Sequence, residues 1–275
     1  SHAAAYTADD RFEISCCVDP NEDRANQFKQ NWSVGSAYKT LEEALENENI
    51  FDVASICVPS EVHAEILWKL VNSSVRLVLC EKPFTTDLSE AKKLVAAFKQ
   101  KNKPIAVAYT RRWHRGLRKI GSELDEGIWG QVGSVHARYT WGILNTGGHI
   151  IDMLHSLLGP MEVHYAGNLR YDYSRKDPTL DAILKTRDNI PIHLIGGDGR
   201  NFRFFEVELL TKLGSITFED WGTTVRRRQV SPYRYAPYIK TLEPGNWEEF
   251  GAGGSFEAMV DNIYQTIAND APLAS

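Results

Sequence analysis

Over the first hundred residues, short and almost wholly apolar runs alternate with amphipathic stretches. FEISCCV (12–18), DVASICV (52–58), VRLVLC (75–80) and PIAVAY (104–109) are too short for buried helices and predict strands covered on both faces. The stretches between them have helical character. A polar helix passes Arg24 and Phe28, and the capping-box pair Thr40 and Glu43 opens LEEALEN. Ser60 reads as the cap of a helix over 61–72 that spaces Val62, Ile66, Leu67 and Leu70 helically. Asp87 and Glu90 start another, in which Leu88, Ala91, Leu94, Val95 and Phe98 line one face. Strands and helices in alternation predict a parallel α/β sheet. Ligands of such sheets bind at the carboxyl ends of the strands, where Asp19, Pro59-Ser60 and Glu81-Lys82-Pro83 fall.

After about residue 110 the pattern changes. A helix over 115–126 leads to a long strand, QVGSVHARYTW, in which Val135, Ala137 and Tyr139 alternate. A helix over 147–158 follows, and successive strands occupy 160–243, with turns at Arg187-Asp188-Asn189 and after Leu213-Gly214. An amphipathic helix over 255–268 carries Phe256, Met259, Val260, Ile263 and Ile267. The expected organisation is an α/β domain over 1–109 and an α+β domain with a mainly antiparallel sheet over 110–275. No internal repeat interrupts it.

Composition narrows the function. Thirty-one Lys and Arg stand against 36 acids, a formal charge of −5, so nucleic acid is not an expected partner. The one dense basic run, Arg226-Arg227-Arg228, reads as a solvated strand face. No apolar run has the length of a membrane span. Cys16, Cys17, Cys57 and Cys80 all lie in apolar strand-like runs without CxxC spacing. They read as buried, reduced thiols of a cytoplasmic protein, and neither a metal site nor a disulfide framework is expected. The chain opens on Ser rather than Met, so an upstream targeting segment stays open.

Four patterns carry chemistry: the strand-end Asp in CCVDPNEDRA, the strand end and helix SICVPSEVHAEI, the turn CEKPF, and the helix start GGHIIDMLHSLLG. In that order, with YTRRW and GQVGSV beside them, the chain resembles the Gfo/Idh/MocA oxidoreductases over nearly its whole length. The resemblance implies a Rossmann domain followed by a domain with an open sheet that shields the substrate and pairs subunits into a homodimer or homotetramer. It implies hydride transfer between a nicotinamide cofactor and a hydroxyl of a sugar, cyclitol or sugar derivative. In this reading Lys82 donates a hydrogen bond to that hydroxyl, His149 takes its proton, and Asn145, Asp152 and Arg112 bind the substrate.

Val58, Pro59, His63, Glu81 and Lys82 are then expected beside the dinucleotide, with Gly147-Gly148 permitting its close approach. Asp19 would accept from the ribose hydroxyls and repel a 2′-phosphate, favouring NAD over NADP, while Arg24 is the residue within reach of a 2′-phosphate. Where the family reads D-x-x-x-H-x-x-D, this chain has Asn145, His149 and Asp152. An amide holds a hydroxyl but takes no proton. Two alternatives stay open: NAD-dependent glycoside cleavage without net redox change, and a catalytically silent dinucleotide sensor. Tyr139 and Trp141 pack either against a sugar ring or between domains.

The family also opens with a strand and a G-x-G-x-x-G turn, whereas SHAAAY reads as the helix after that turn. Losing a central strand leaves two rows of unpaired backbone groups, at about 1–3 kcal/mol for each buried one. A domain has only about 5–15 kcal/mol in total. A strand and glycine turn upstream, and a last helix beyond ANDAPLAS, are therefore expected. Direct pairing of strands 12–18 and 52–58 would contradict the upstream strand.

Overall fold

The computed structural model describes residues 1–274 apart from 48, 49 and 252. The chain divides into two compact units, Ser1–Trp113 with Gly254–Ser275, and His114–Gly253.

The first unit runs α1 (His2–Thr7), β1 (Cys16–Val18), α2 (Glu22–Trp32), β2 (Ser36–Tyr38), α3 (Leu41–Asn47), β3 (Val53–Ile56), α4 (His63–Val71), β4 (Leu77–Cys80), α5 (Leu88–Gln100) and β5 (Ile105–Val107). Strands β3, β4 and β5 form one parallel sheet with β4 in the middle, and β1 pairs with β2 in another. Among the described residues β1 and β3 are not partners. β1 is shorter than its apolar run because Phe12 and Ile14 pack beside Tyr6 and Val260 instead of joining the ladder. β2, with the sequence SAY, has no apolar run to announce it.

Local signals hold in part. Glu43 N–H donates to Thr40 Oγ1 at 3.2 Å and Thr40 N–H to Glu43 Oε2 at 3.3 Å, closing the capping box. Ser60 is not a cap. Its hydroxyl turns to Glu61, and one 3-10 turn (Ser60–Val62) precedes α4. On α5, Leu94 and Phe98 are buried, but Leu88 and Val95 are 72% and 53% exposed. Val95 lies about 100° around the helix from Leu94 and so faces away from the sheet. The thiols also differ from expectation: only Cys80 is buried, Cys16 and Cys17 are half-buried, and Cys57 is exposed.

The second unit runs α6 (Arg115–Asp125), β6 (Val132–Tyr139), α7 (Gly148–Leu158), β7 (Met161–Ser174), β8 (Asp177–Thr186), β9 (Pro191–Gly196), β10 (Phe205–Thr211), β11 (Gly214–Glu219), β12 (Thr224–Tyr233), β13 (Ala236–Leu242) and β14 (Asn246–Glu249). Its sheet has the order β13-β12-β11-β10-β6-β9-β8-β7, with β14 also on β12. Only β6 and β9 pair in parallel. Leu117 and Ile120 of α6 and Ile150, Met153 and Leu154 of α7 pack with Val135, Ala137, Val207 and Leu209 in one core. Residues that alternate with these strand positions, among them His136, Arg138, Glu206, Glu208, Arg226 and Arg228, line a polar depression. Arg227 breaks the solvated-run expectation: it is mostly buried and pairs with Glu123 at 3.1 Å and with Glu248.

The last helix, α8 (Ser255–Asn269), belongs to the first unit and not to the second, as do residues 110–113. Side chains alternate along β4. Val78 and Cys80 meet the cluster holding Leu67 and Leu94, while Leu77 and Leu79 meet Met259, Ile263 and Trp113. Trp113 is fully buried there and donates from Nε1 to Asn262 Oδ1 at 3.0 Å. α8 thus covers the face of the parallel sheet that α4 and α5 leave bare. No helix among the described residues is long and apolar enough to cross a membrane.

Candidate functional site

In the first unit the candidate residues collect where β3 and β4 end. Register places Ile56 opposite Cys80, and Glu81 N–H donates to Ile56 O at 2.9 Å, which sets Val58-Pro59 and Glu81-Lys82-Pro83 side by side. The Lys82–Pro83 peptide is cis. His63 ties the two turns together: Nδ1 lies 2.9 Å from Pro83 O and Nε2 2.9 Å from Val58 O. With 1% exposure and a carbonyl at each ring nitrogen, His63 buckles the two turns together.

Glu81 is anchored on both sides. Its Oε2 accepts from Lys82 N–H at 3.1 Å, and its Oε1 lies 3.3 Å from His2 Nε2. Burial pushes the Glu81 carboxyl up, but His2 and the Lys82 N–H outweigh it and hold the group below its usual range. Conversely, burial pulls His2 down while Cys57 and Glu81 raise it, to about 9. Farther along the strand ends, Asp19 follows β1 and its Oδ1 accepts from Asn21 N–H at 2.8 Å. Asn21 caps α2 by accepting from Arg24 N–H at 3.0 Å, which leaves Arg24 exposed in the first turn of that helix. Arg112 lies in a 3-10 turn (Thr110–Trp113) that follows β5, its N–H on Tyr109 O at 3.0 Å.

In the second unit, His149 is the second residue of α7, but no free helix end precedes it. A π-helical turn, Gly142–Gly147, runs straight into the helix. That turn is held from the hairpin of β7 and β8. Asp177 accepts from Leu144 N–H at 2.8 Å and Asn145 N–H at 3.0 Å. Thr179 Oγ1 accepts from Gly142 N–H at 2.7 Å and donates to Asp172 Oδ1 at 2.6 Å. Asp172 Oδ2 accepts from Trp141 N–H and Gly199 N–H, both at 2.9 Å. Burial pushes Asp172 up, yet Thr179 and the two amides bring it below the usual carboxylate range. Gly142, at φ 81°, is required: a Cβ there would sit 2.1 Å from Asp177 Oδ2.

These three hairpin residues escape sequence reading, because Asp172 and Asp177 look like ordinary turn chemistry some 30 positions from the segment they hold. Asp152 is buried one helical turn beyond His149. Gly147 answers a packing need: its missing Cβ would meet Ile143 at 2.6 Å and Tyr139 at 3.2 Å. Tyr139 is fully buried and exchanges hydrogen bonds with Leu180. Trp141 lies between Arg203, 3.7 Å from its centroid, and the stacked ring of Tyr173.

A parallel sheet with carboxylates at the ends of its strands defines a dinucleotide-binding class of domain. The comparisons specify it: residues 1–109 match the family described as GFO_IDH_MocA, oxidoreductase family, NAD-binding Rossmann fold. Over this domain the chain is similar to the Gfo/Idh/MocA oxidoreductases. It is 26% identical over 113 residues to the myo-inositol 2-dehydrogenase of Thermotoga maritima, covering 41% of this chain and 33% of the relative. Two crystal structures share the fold. One, ascribed to an NADPH-dependent oxidoreductase of Desulfitobacterium hafniense, has a TM-score of 0.84 at 19% identity and covers 98% of this chain and 84% of its own. The other is KijD10, a 3-ketoreductase of Actinomadura kijaniata in complex with TDP-benzene and NADP, with a TM-score of 0.76 at 20% identity and coverage of 97% and 84%. The chain spans half or less of the length of the curated relatives it matches first.

Proposed function

We propose that this protein is an NAD(P)-dependent oxidoreductase that moves a hydride between nicotinamide and a hydroxyl-bearing carbon of a sugar, cyclitol or sugar derivative. The observation that carries this reading is the Glu81-Lys82-Pro83 turn, fixed at the carboxyl end of a central parallel strand by His63 and His2. The relatives named as a myo-inositol 2-dehydrogenase and as a dTDP-3,4-didehydro-2,6-dideoxy-α-D-glucose 3-reductase support the substrate class. Strand-end carboxylates suit the hydroxyls of a nucleotide ribose, so Asp19, Val58, Pro59 and Glu81 would hold the dinucleotide, which supplies the hydride acceptor or donor. Asp19 favours NAD. The neighbour holding NADP and the exposed Arg24 make the competing case.

Lys82 donates to the substrate oxygen and stabilises alkoxide charge as it develops. His149 exchanges the proton. Asn145 holds a hydroxyl without taking its proton, so acid–base work falls on His149, with Asp152 on the same helical face. Arg112 is assigned to substrate binding, and His63 acts only by positioning the turns. The polar face of the second unit's sheet is assigned to pairing with a second copy of the chain.

The test is a screen of NAD and NADP reduction against polyols, cyclitols and nucleotide-linked sugars. Lys82→Ala is expected to lower kcat about a hundredfold or more while dinucleotide affinity holds. Unchanged turnover in that variant would remove Lys82 from the chemistry. Tight dinucleotide binding without turnover of any alcohol would favour the sensor.

A further inference from the structure

One constellation of the first unit sets a thiol against two groups that also fix the Glu81-Lys82-Pro83 turn. Cys57, just beyond β3, is exposed, and its Sγ lies 3.4 Å from His2 Nδ1. His2 Nε2 in turn lies 3.3 Å from Glu81 Oε1. A nucleophile beside a histidine whose far nitrogen is oriented by a carboxylate is the arrangement that activates thiols. The ring is 6% exposed and packs 5.9 Å from Phe256, so it has little freedom to swing away. Cys80 also has a ring nitrogen beside it, His63 Nδ1 at 3.5 Å, but lies inside the protein. Cys80 is buried, and its thiol is pushed up to about 12 by that burial. Cys17 is half-buried, pushed up by burial, and its Sγ meets Ala25 O at 3.6 Å.

We propose that Cys57 is a reactive thiol, activated by His2 and Glu81, that low-molecular-weight disulfides modify. Sγ attacks one sulfur of the disulfide, a new S–S bond forms to Cys57, and the original S–S bond breaks. The departing sulfur leaves with the electron pair and takes the proton that Cys57 gave up through His2. Cys57 is thereby oxidised and the released thiol reduced, with no further reagent. The adduct stands next to Val58-Pro59. On the dinucleotide reading proposed above, it fills the cofactor's end of the sheet, so modification and dinucleotide binding exclude each other.

The experiment treats the full protein with oxidised glutathione and follows adducts by intact mass and peptide mapping. The expected result is one glutathione per chain, at Cys57, formed about tenfold or more slowly in His2→Gln. Glu81→Gln, which leaves the imidazole in place, is expected to slow it several-fold, and it keeps the test alive if His2→Gln does not fold. First modification at Cys16 or Cys17, or equal rates in wild type and a folded variant, would overturn the assignment. Saturating NAD or NADP is expected to protect Cys57. Measured dinucleotide binding without protection would overturn the mutual exclusion. Failure of both dinucleotides to bind would count against the oxidoreductase reading, while preferential, His2-dependent labelling would still support the thiol.

Discussion

Removing the Asp177 carboxylate tests how the second unit builds its candidate site. The group is 9% exposed and accepts two backbone hydrogen bonds, from Leu144 at 2.8 Å and Asn145 at 3.0 Å. A hydrogen bond to a charged group contributes about 1.5–3 kcal/mol, and water entering the vacated space recovers part of it, so Asp177→Ala should destabilise by about 2–4 kcal/mol. Asp177→Asn keeps one acceptor but turns its NH2 toward an amide donor, and about 1–3 kcal/mol is expected. The loss appears as a lower urea midpoint with an unchanged slope, and as faster hydrogen exchange at amides 144 and 145. Because the turn runs directly into the helix of His149, kcat should fall while dinucleotide affinity stays. A loss below about 0.5 kcal/mol in Asp177→Ala, the scatter of ordinary surface changes, with unaltered exchange at both amides, would refute the argument.

Three further outcomes follow from the first unit. His2 is raised from 6.5 to about 9, so its stabilisation is complete below the unfolded value and is lost as pH rises through the folded one. That loss amounts to about 3 kcal/mol at most, and urea midpoints at about pH 6 and pH 9.5 that do not differ between wild type and His2→Gln would contradict it. Leu79→Ala empties a fully buried position on the middle strand and should cost about 2–5 kcal/mol in the same assay. On α5, Leu94→Ala should cost about 2–5 kcal/mol and Val95→Ala within about 0.5 kcal/mol, and equal losses would mean that the helix is rotated.

Much of the fold is written in local pattern. The apolar run of β4 is legible because both its faces are covered, and Thr40 and Glu43 signal their helix because the bonds they form lie within four residues. The partner of α8 is not legible, since an amphipathic face states that it needs a cover without stating which one. Leu88 and Val95 pass for core because spacing on a short helix tolerates errors of one position. Among the candidate residues, Glu81 and Lys82 of the first unit and Asn145 and His149 of the second announce themselves through motif. The residues that hold them do not: Asp172, Asp177 and Thr179 reach their targets only through the pairing of β7 with β8, and nothing in the motif around His63 states that its ring nitrogens face the carbonyls of Pro83 and Val58. Cys57 resembles its three companions in sequence context and differs from them in exposure.

The placement of α8 also bears on how the protein is made. A ribosome releases β3, β4 and β5 early, yet the side of that sheet carrying Leu77 and Leu79 waits for Met259 and Ile263, nearly 200 residues later. Throughout that interval the nascent dinucleotide domain exposes an oily flank, and it closes by a contact of very long sequence separation, which slows folding and invites association with other chains. The second unit is an insertion into an unfinished first one. Cutting the gene after residue 113 would therefore yield a sheet bare on one side, and restoring the segment that begins at residue 254 should be what makes that fragment fold.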